Sequence, residues 1–210
     1  MNLYRPEKVL IDRSTENCAH TKTILNSLRG VPVVSWSVNS HPLIRSVEHK
    51  AASFDERLAA ACRCVRVGYR VGFHFDPIIR HEDMARHYAE TINTIFDTVP
   101  ESSIVWISMG ALHFPPPLKQ IIGPRFPNSR FIYDKFVRDE DGKMRCFRPL
   151  RVEMYRMIAG AIRARNHTVR LYLRMETPEI WRDVFATASP CQRELASELD
   201  GAVSCAASSR

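Results

Sequence analysis

The stretch that decides the reading of this chain is VGFHFDPIIRHED, Val71 to Asp83. Val71, Phe73 and Phe75 alternate with Gly72, His74 and Asp76, which is the period of a β-strand. Pro77 then ends the ladder, because proline brings no N–H to it. One face of this strand is apolar. The other finishes on an imidazole and a carboxylate, which a strand buried for stability alone would not need.

Working outward, the same rhythm recurs. GVPVVSWSVN, SIVWISMG, RFIYDKFV and TVRLYLRME each read as strands, and EKVLIDR as a shorter one near the start. Between them lie helical patterns. FDERLAAACRCVRVG closes on Gly68, EDMARHYAETINTIFDTV is apolar at Met84, Tyr88, Ile92, Ile95 and Phe96, and PLRVEMYRMIAGAIRAR turns Leu150, Met154, Met157, Ile158 and Ile162 inward. PPPLKQIIG opens a short helix through prolines, DEDGK is an Asp-Gly turn, and PEIWRDVF is a last short helix. Some six strand–helix units predict a parallel sheet with crossover helices, as an open barrel or a doubly wound sheet. The glycine fingerprints of dinucleotide and P-loop sites are absent, which favours a partial barrel. Polar groups then belong at the C-terminal strand ends: Ser37 and Asn39, His74 and Asp76, Ser108 and Gly110, Asp134 and Lys135, and Glu176.

The chain of 210 residues is 45% hydrophobic and 25% charged, with a formal net charge of +7. This is globular composition, with a basic balance compatible with a polyanionic partner. Residues 1–188 read as one domain, and the Ala/Ser-rich 189–210 as a disordered tail. Without a signal h-region or a membrane-length apolar run, the chain reads as soluble and cytoplasmic. Its six cysteines, at 18, 62, 64, 146, 191 and 205, read as reduced thiols.

Three roles stay open for His74 and Asp76. They could ligate a metal with His81, Glu82, His113 or Glu176. They could contact a cofactor or substrate, or form a structural imidazole–carboxylate pair. Ser37 and Asn39 share one face and suit hydrogen bonds to an amino-acid or ribose group. In GKMRCFRPLR, the basic Lys143, Arg145, Arg148 and Arg151 surround Phe147, a mixture suited to phosphate contact and base stacking.

VPVVSWSVNSHPLIRSVEHKAASFDERLAAACRCVRVGYRVGFHFDPII, followed by VWISMGALHFPPPLKQII, RFPNSRFIYDKF, DGKMRCFRPLRVEMYRMI and YLRMETPEIW, resembles the spore photoproduct lyase-like radical S-adenosylmethionine (SAM) proteins over about Val9 to Phe185. The resemblance implies an α/β fold, a partial, open (β/α)6-type radical SAM barrel missing its first strand or strands. It implies SAM at the open strand ends, touched by Ser37, Asn39 and Asp76, with His74 beside them. Arg13 stands near a family lysine. It further implies reductive SAM cleavage and hydrogen abstraction in a DNA repair lyase, with DNA as partner. The family's [4Fe–4S] cluster needs Cys-x-x-x-Cys-x-x-Cys, a spacing absent from these 210 residues. The expectation is therefore a C-terminal portion, inactive alone, completed by a separately encoded N-terminal half or left as a truncated product. Two other readings are a metal-dependent hydrolase on a barrel and a non-enzymatic nucleic-acid-binding remnant.

Overall fold

The structure is a computed structural model that describes residues 33–48, 51–127 and 131–187. EKVLIDR, Arg13 and the tail 189–210 lie outside the described residues. Strand β1 is Val33–Ser37, β2 Arg70–Ile78, β3 Ile104–Ala111 and β7 Arg170–Leu173. They form one sheet in the order β1-β2-β3-β7, with every neighbouring pair parallel. The chain is thus mixed α/β with a parallel sheet, as the alternating pattern predicts.

The helices are α1 His41–Val47, α2 Phe54–Arg66, α3 Met84–Thr98, α4 Pro117–Arg125, α5 Arg148–Arg165 and α6 Pro178–Phe185. α2 starts on a capping box: the Glu56 N–H donates to Ser53 Oγ (3.2 Å) and the Ser53 N–H to Glu56 Oε2 (2.7 Å). It stops where Gly68 takes a φ of 94°, a conformation that glycine reaches without a Cβ penalty. Its apolar side, with Phe54, Leu58 and Ala61 buried, packs on β1 and β2. On α3 the buried set is Tyr88, Thr91, Ile92, Ile95 and Phe96, and α5 buries Met154, Tyr155, Ile158 and Ile162. These helices join Val71, Phe73, Phe75, Ile107 and Met109 of the sheet in one core. No helix among the described residues is long and apolar enough to cross a membrane.

The expected strand RFIYDKFV is different. Phe131–Tyr133 is a turn of 3-10 helix, and only Phe136–Arg138 is extended, as β5. β5 pairs antiparallel with β6 (Met144–Cys146), which pairs antiparallel with β4 (His113–Phe114). The DEDGK turn explains this: Gly142 has a φ of 79°, and a connection so short can only return the chain antiparallel, since a parallel neighbour needs a long crossover. Asp134 and Lys135 therefore precede a hairpin strand and do not end a parallel one. The described residues hold four parallel strands plus this small second sheet, which takes the place of the unit expected at RFIYDKFV.

Candidate functional site at the strand ends

One face of the parallel sheet carries the helices. The other presents Ser35 and Ser37 of β1, Gly72, His74 and Asp76 of β2, and Trp106, Ser108 and Gly110 of β3. Register dictates this set, since Ser37 lies opposite His74, His74 opposite Ser108, and Gly72 opposite Trp106.

His74 is buried, and both ring nitrogens are engaged within the sheet. Nδ1 is 2.5 Å from Ser108 Oγ and Nε2 is 2.8 Å from Ser35 Oγ. The hydroxyls rotate, so one donates and the other accepts whichever tautomer is present. His74 thus ties β1, β2 and β3 together below the rim through these two serines.

Asp76 reaches the rim. Its carboxylate Oδ2 lies 3.1 Å from Arg174 Nη1, just beyond β7. It crosses β3 where residue 110 has no side chain. A Cβ at Gly110 would stand 2.8 Å from Asp76 Cγ and Oδ1 and 3.0 Å from Oδ2. Gly72 does the same for Trp106, whose indole lies over it with Nε1 nearest and Cδ1 and Cε2 2.9 Å from the place a Cβ would take. The Trp106 Nε1–H is buried with no hydrogen-bond partner among the described residues.

Ser37 is half-buried at the end of β1, where its carbonyl accepts from Arg57 Nη1 (2.9 Å). Arg57, buried on α2, is also paired with Glu48. Asn39 is buried, and its amide is a junction. Nδ2 donates to the Pro77 carbonyl (2.9 Å), and Oδ1 accepts from the Ser40 N–H (3.0 Å) and the Tyr88 hydroxyl (2.5 Å). The structure therefore brings Ser37, Asn39, His74 and Asp76 to the ends of β1 and β2, with Ser37 and Asp76 the more open of the four.

The basic cluster divides. Arg145 and Arg151 are buried among carboxylates. Arg145 meets Asp141 (2.8 Å), Asp139 (3.2 Å) and the Met175 carbonyl (3.1 Å). Its guanidinium donates a hydrogen bond to Asp141 and thereby holds that carboxyl down at about 2. Arg151 donates to the Cys146 carbonyl (3.1 Å), and its Nε lies 3.2 Å from Glu176 Oε1, a charge contact without hydrogen-bond alignment. Phe147 and Arg148 are exposed, with Arg148 paired to Asp183 at 2.7 Å. Lys143 lies 3.7 Å from Asp141.

Glu176 is nearly inaccessible. Tyr155 donates to its Oε1 (2.6 Å), while its Oε2 is buried without a hydrogen-bond partner among the described residues. Burial pushes its carboxyl above the ordinary value, against the pull of Tyr155, Arg151 and Arg145.

The proposed metal set does not assemble. His81 stacks on His87 and bonds Ser40 and the Ile79 carbonyl, His113 bonds the Ala111 carbonyl, and Glu176 belongs to Tyr155. Among the described residues no three metal-ligating side chains converge. The three described thiols do not fit a cluster either. Cys62 donates to the Thr98 carbonyl, Cys64 is buried, and burial pushes Cys146 up to about 11, away from the thiolate that iron requires.

Sequence reading alone does not reveal Ser35, Arg57, Tyr155 or Arg174 as site residues, and it places Tyr88 only in the apolar core. A signal was available for the two glycines: Gly72 and Gly110 fall on the same face as His74, where a missing Cβ makes room for something large.

Comparison with known proteins bears on the family and the fold. The chain is 30% identical to the spore photoproduct lyase of Geobacillus sp. (strain Y412MC61) over 105 residues, which is 49% of this chain and 31% of that protein. It is 24% identical to the Clostridium acetobutylicum spore photoproduct lyase over 122 residues, 51% of this chain and 36% of that one. The chain thus spans about a third of the curated relatives it matches. Among solved structures, it resembles spore photoproduct lyase complexed with dinucleoside spore photoproduct, with a TM-score of 0.63 and 25% identity over 74% of this chain and 48% of that one. A variant of the same enzyme with bound AdoMet and dinucleoside spore photoproduct gives a TM-score of 0.62 at 25% identity and the same coverage. The family model of spore photoproduct lyase matches residues 14–146, more than half of the 210, and the chain belongs to that family.

Proposed function

We propose that this chain forms the SAM-binding wall of a spore photoproduct lyase-like radical SAM protein, a DNA repair lyase, and that its parallel sheet is part of an open (β/α)6 barrel. The observation that carries this reading is the polar rim, where Asp76 lies over Gly110 and Ser37 ends β1. That arrangement fits the two polar ends of SAM. A carboxylate suits ribose hydroxyls or an ammonium, and a hydroxyl suits a carboxylate. Asn39 holds the rim between them. When bound, SAM would supply hydrogen-abstracting chemistry once a one-electron donor cleaves it, and this chain's share is to bind and orient it. That cleavage needs a reductant, and the residues described here provide no thiolate set for one. DNA is the partner we assign to the basic chain, entering over Phe147 and Arg148.

The test uses the purified chain after anaerobic iron and sulfide reconstitution. It should bind SAM in equilibrium dialysis, with binding weakened by Ser37→Ala and Asp76→Ala. It should hold no iron and form no 5′-deoxyadenosine. About four irons per chain, the content of one [4Fe–4S] cluster, or turnover of SAM would refute the claim that it is inactive alone. Absence of SAM binding would refute the cofactor assignment.

A further inference from the structure

Tyr88 and Tyr155 occupy parallel positions in the fold. Tyr88 rises from α3, and its hydroxyl accepts from the Ile79 N–H (3.2 Å), just past the end of β2. The same hydroxyl donates to Asn39 Oδ1 (2.5 Å), just past the end of β1. Tyr155 rises from α5. Its hydroxyl accepts from the Ala111 N–H (2.6 Å), beyond the last β3–β7 pair at Met109 and Leu173, and donates to Glu176 Oε1 (2.6 Å), just past β7. Each phenol therefore caps a strand-end N–H and donates its own O–H to a side chain leaving the neighbouring strand.

Capping alone would be a stability device, since a buried backbone donor without a partner is costly. The onward bonds show more. Asn39 closes a loop by donating to the Pro77 carbonyl, so Tyr88 and Asn39 grip β2 on both sides of Ile78. At the other end the Arg174 N–H donates to the Met109 carbonyl (2.8 Å) while its guanidinium holds Asp76. The open carboxylate of the rim lies between the two gripped pairs. Tyr88 is itself fixed by Phe75, edge-on with centroids 6.0 Å apart.

We infer that Tyr88 and Tyr155 are positioning residues of the rim site, one clasping the exits of β1 and β2 and the other those of β3 and β7, so that Asp76 and Ser37 are held ready for the cofactor. This rests on the SAM-binding reading above, and the experiment separates the two. Tyr88→Phe and Tyr155→Phe keep the ring and remove only the oxygen. Amide hydrogen exchange and SAM equilibrium dialysis are measured on the whole chain, with Ile95→Val on α3 as a destabilised control remote from the rim. Each Phe variant should weaken SAM binding about tenfold, the effect of one well-placed hydrogen bond. Tyr88→Phe should speed exchange at Ile79 and not at Ala111, and Tyr155→Phe the reverse, while Ile95→Val leaves SAM affinity unchanged. Unaltered exchange at both amides overturns the clasps. Affinity losses matched by Ile95→Val overturn the positioning role and leave only stability. A wild-type chain that binds no SAM overturns the functional reading and with it the cofactor role of the clasps, and exchange then decides whether the phenols hold the rim.

Discussion

Gly110→Ala isolates the contact on which the rim depends. An alanine methyl there would sit 2.8 Å from Asp76 Cγ and Oδ1, where ordinary contact starts at 3.4 Å. One side must yield by about 0.6 Å, the difference of these two distances. Strand β3 is buried along its whole length, so the carboxylate must move and loosen its contact with Arg174. Overpacking of this kind costs about 1–3 kcal/mol. The Asp76–Arg174 pair is partly exposed and contributes at most about 1 kcal/mol. Against these, alanine restricts the unfolded chain and returns about 0.4–1 kcal/mol, because residue 110 has no left-handed φ to forbid it. The net expectation is a loss of about 1–3 kcal/mol, or about 2–4 °C of Tm for each kcal/mol in a chain of this size. The decisive comparison is Gly110→Ala in an Asp76→Ala background. The methyl then fills vacated space, and the substitution should be neutral or stabilising. Urea unfolding followed by circular dichroism on the four proteins gives the coupling, expected at about 1.5 kcal/mol or more. Equal costs in both backgrounds would show that Asp76 is not what keeps residue 110 a glycine.

Gly72→Ala should destabilise by about 1–3 kcal/mol and shift the tryptophan emission, because its methyl overlaps the Trp106 indole; an unchanged spectrum and midpoint would place the indole elsewhere. Glu176 makes a pH prediction. Its folded pKa is raised above the ordinary 4.5, so the folded state keeps the proton longer and stability falls as pH climbs from that value through the raised one, then levels off. Tm profiles of the wild type and Glu176→Gln should diverge over that window, and parallel profiles would refute the burial argument.

Much of the fold was legible because periodicity is a local property. The strand from Val71, the α2 stop at Gly68 and the amphipathic α3 and α5 follow from side-chain alternation, capping and apolar spacing, although β2 runs past Pro77 to Ile78, which still pairs with Ala111 where the proline reading ends the ladder. The hairpin at 136–146 was misread because FIYDKFV has the composition of a buried strand. Only the short turn and its pairing partners show that it runs antiparallel. The basic cluster shows the same limit. Arg145 and Arg151 look like a phosphate-binding surface in one dimension, but Asp139, Asp141 and Glu176 fold onto them.

The sequence by itself determined the parallel α/β plan, the family, and the placing of Ser37, Asn39, His74 and Asp76 at strand ends, because a strand's two-residue period assigns faces without knowledge of neighbours. Tertiary structure decided what those groups do. Register set His74 between Ser35 and Ser108, the missing Cβ of Gly110 let Asp76 cross to Arg174, and two tyrosines from separate helices met the rim. Each of these is a contact between residues tens of positions apart, and hydrogen bonds and steric overlap at that separation exist only once the strands lie side by side.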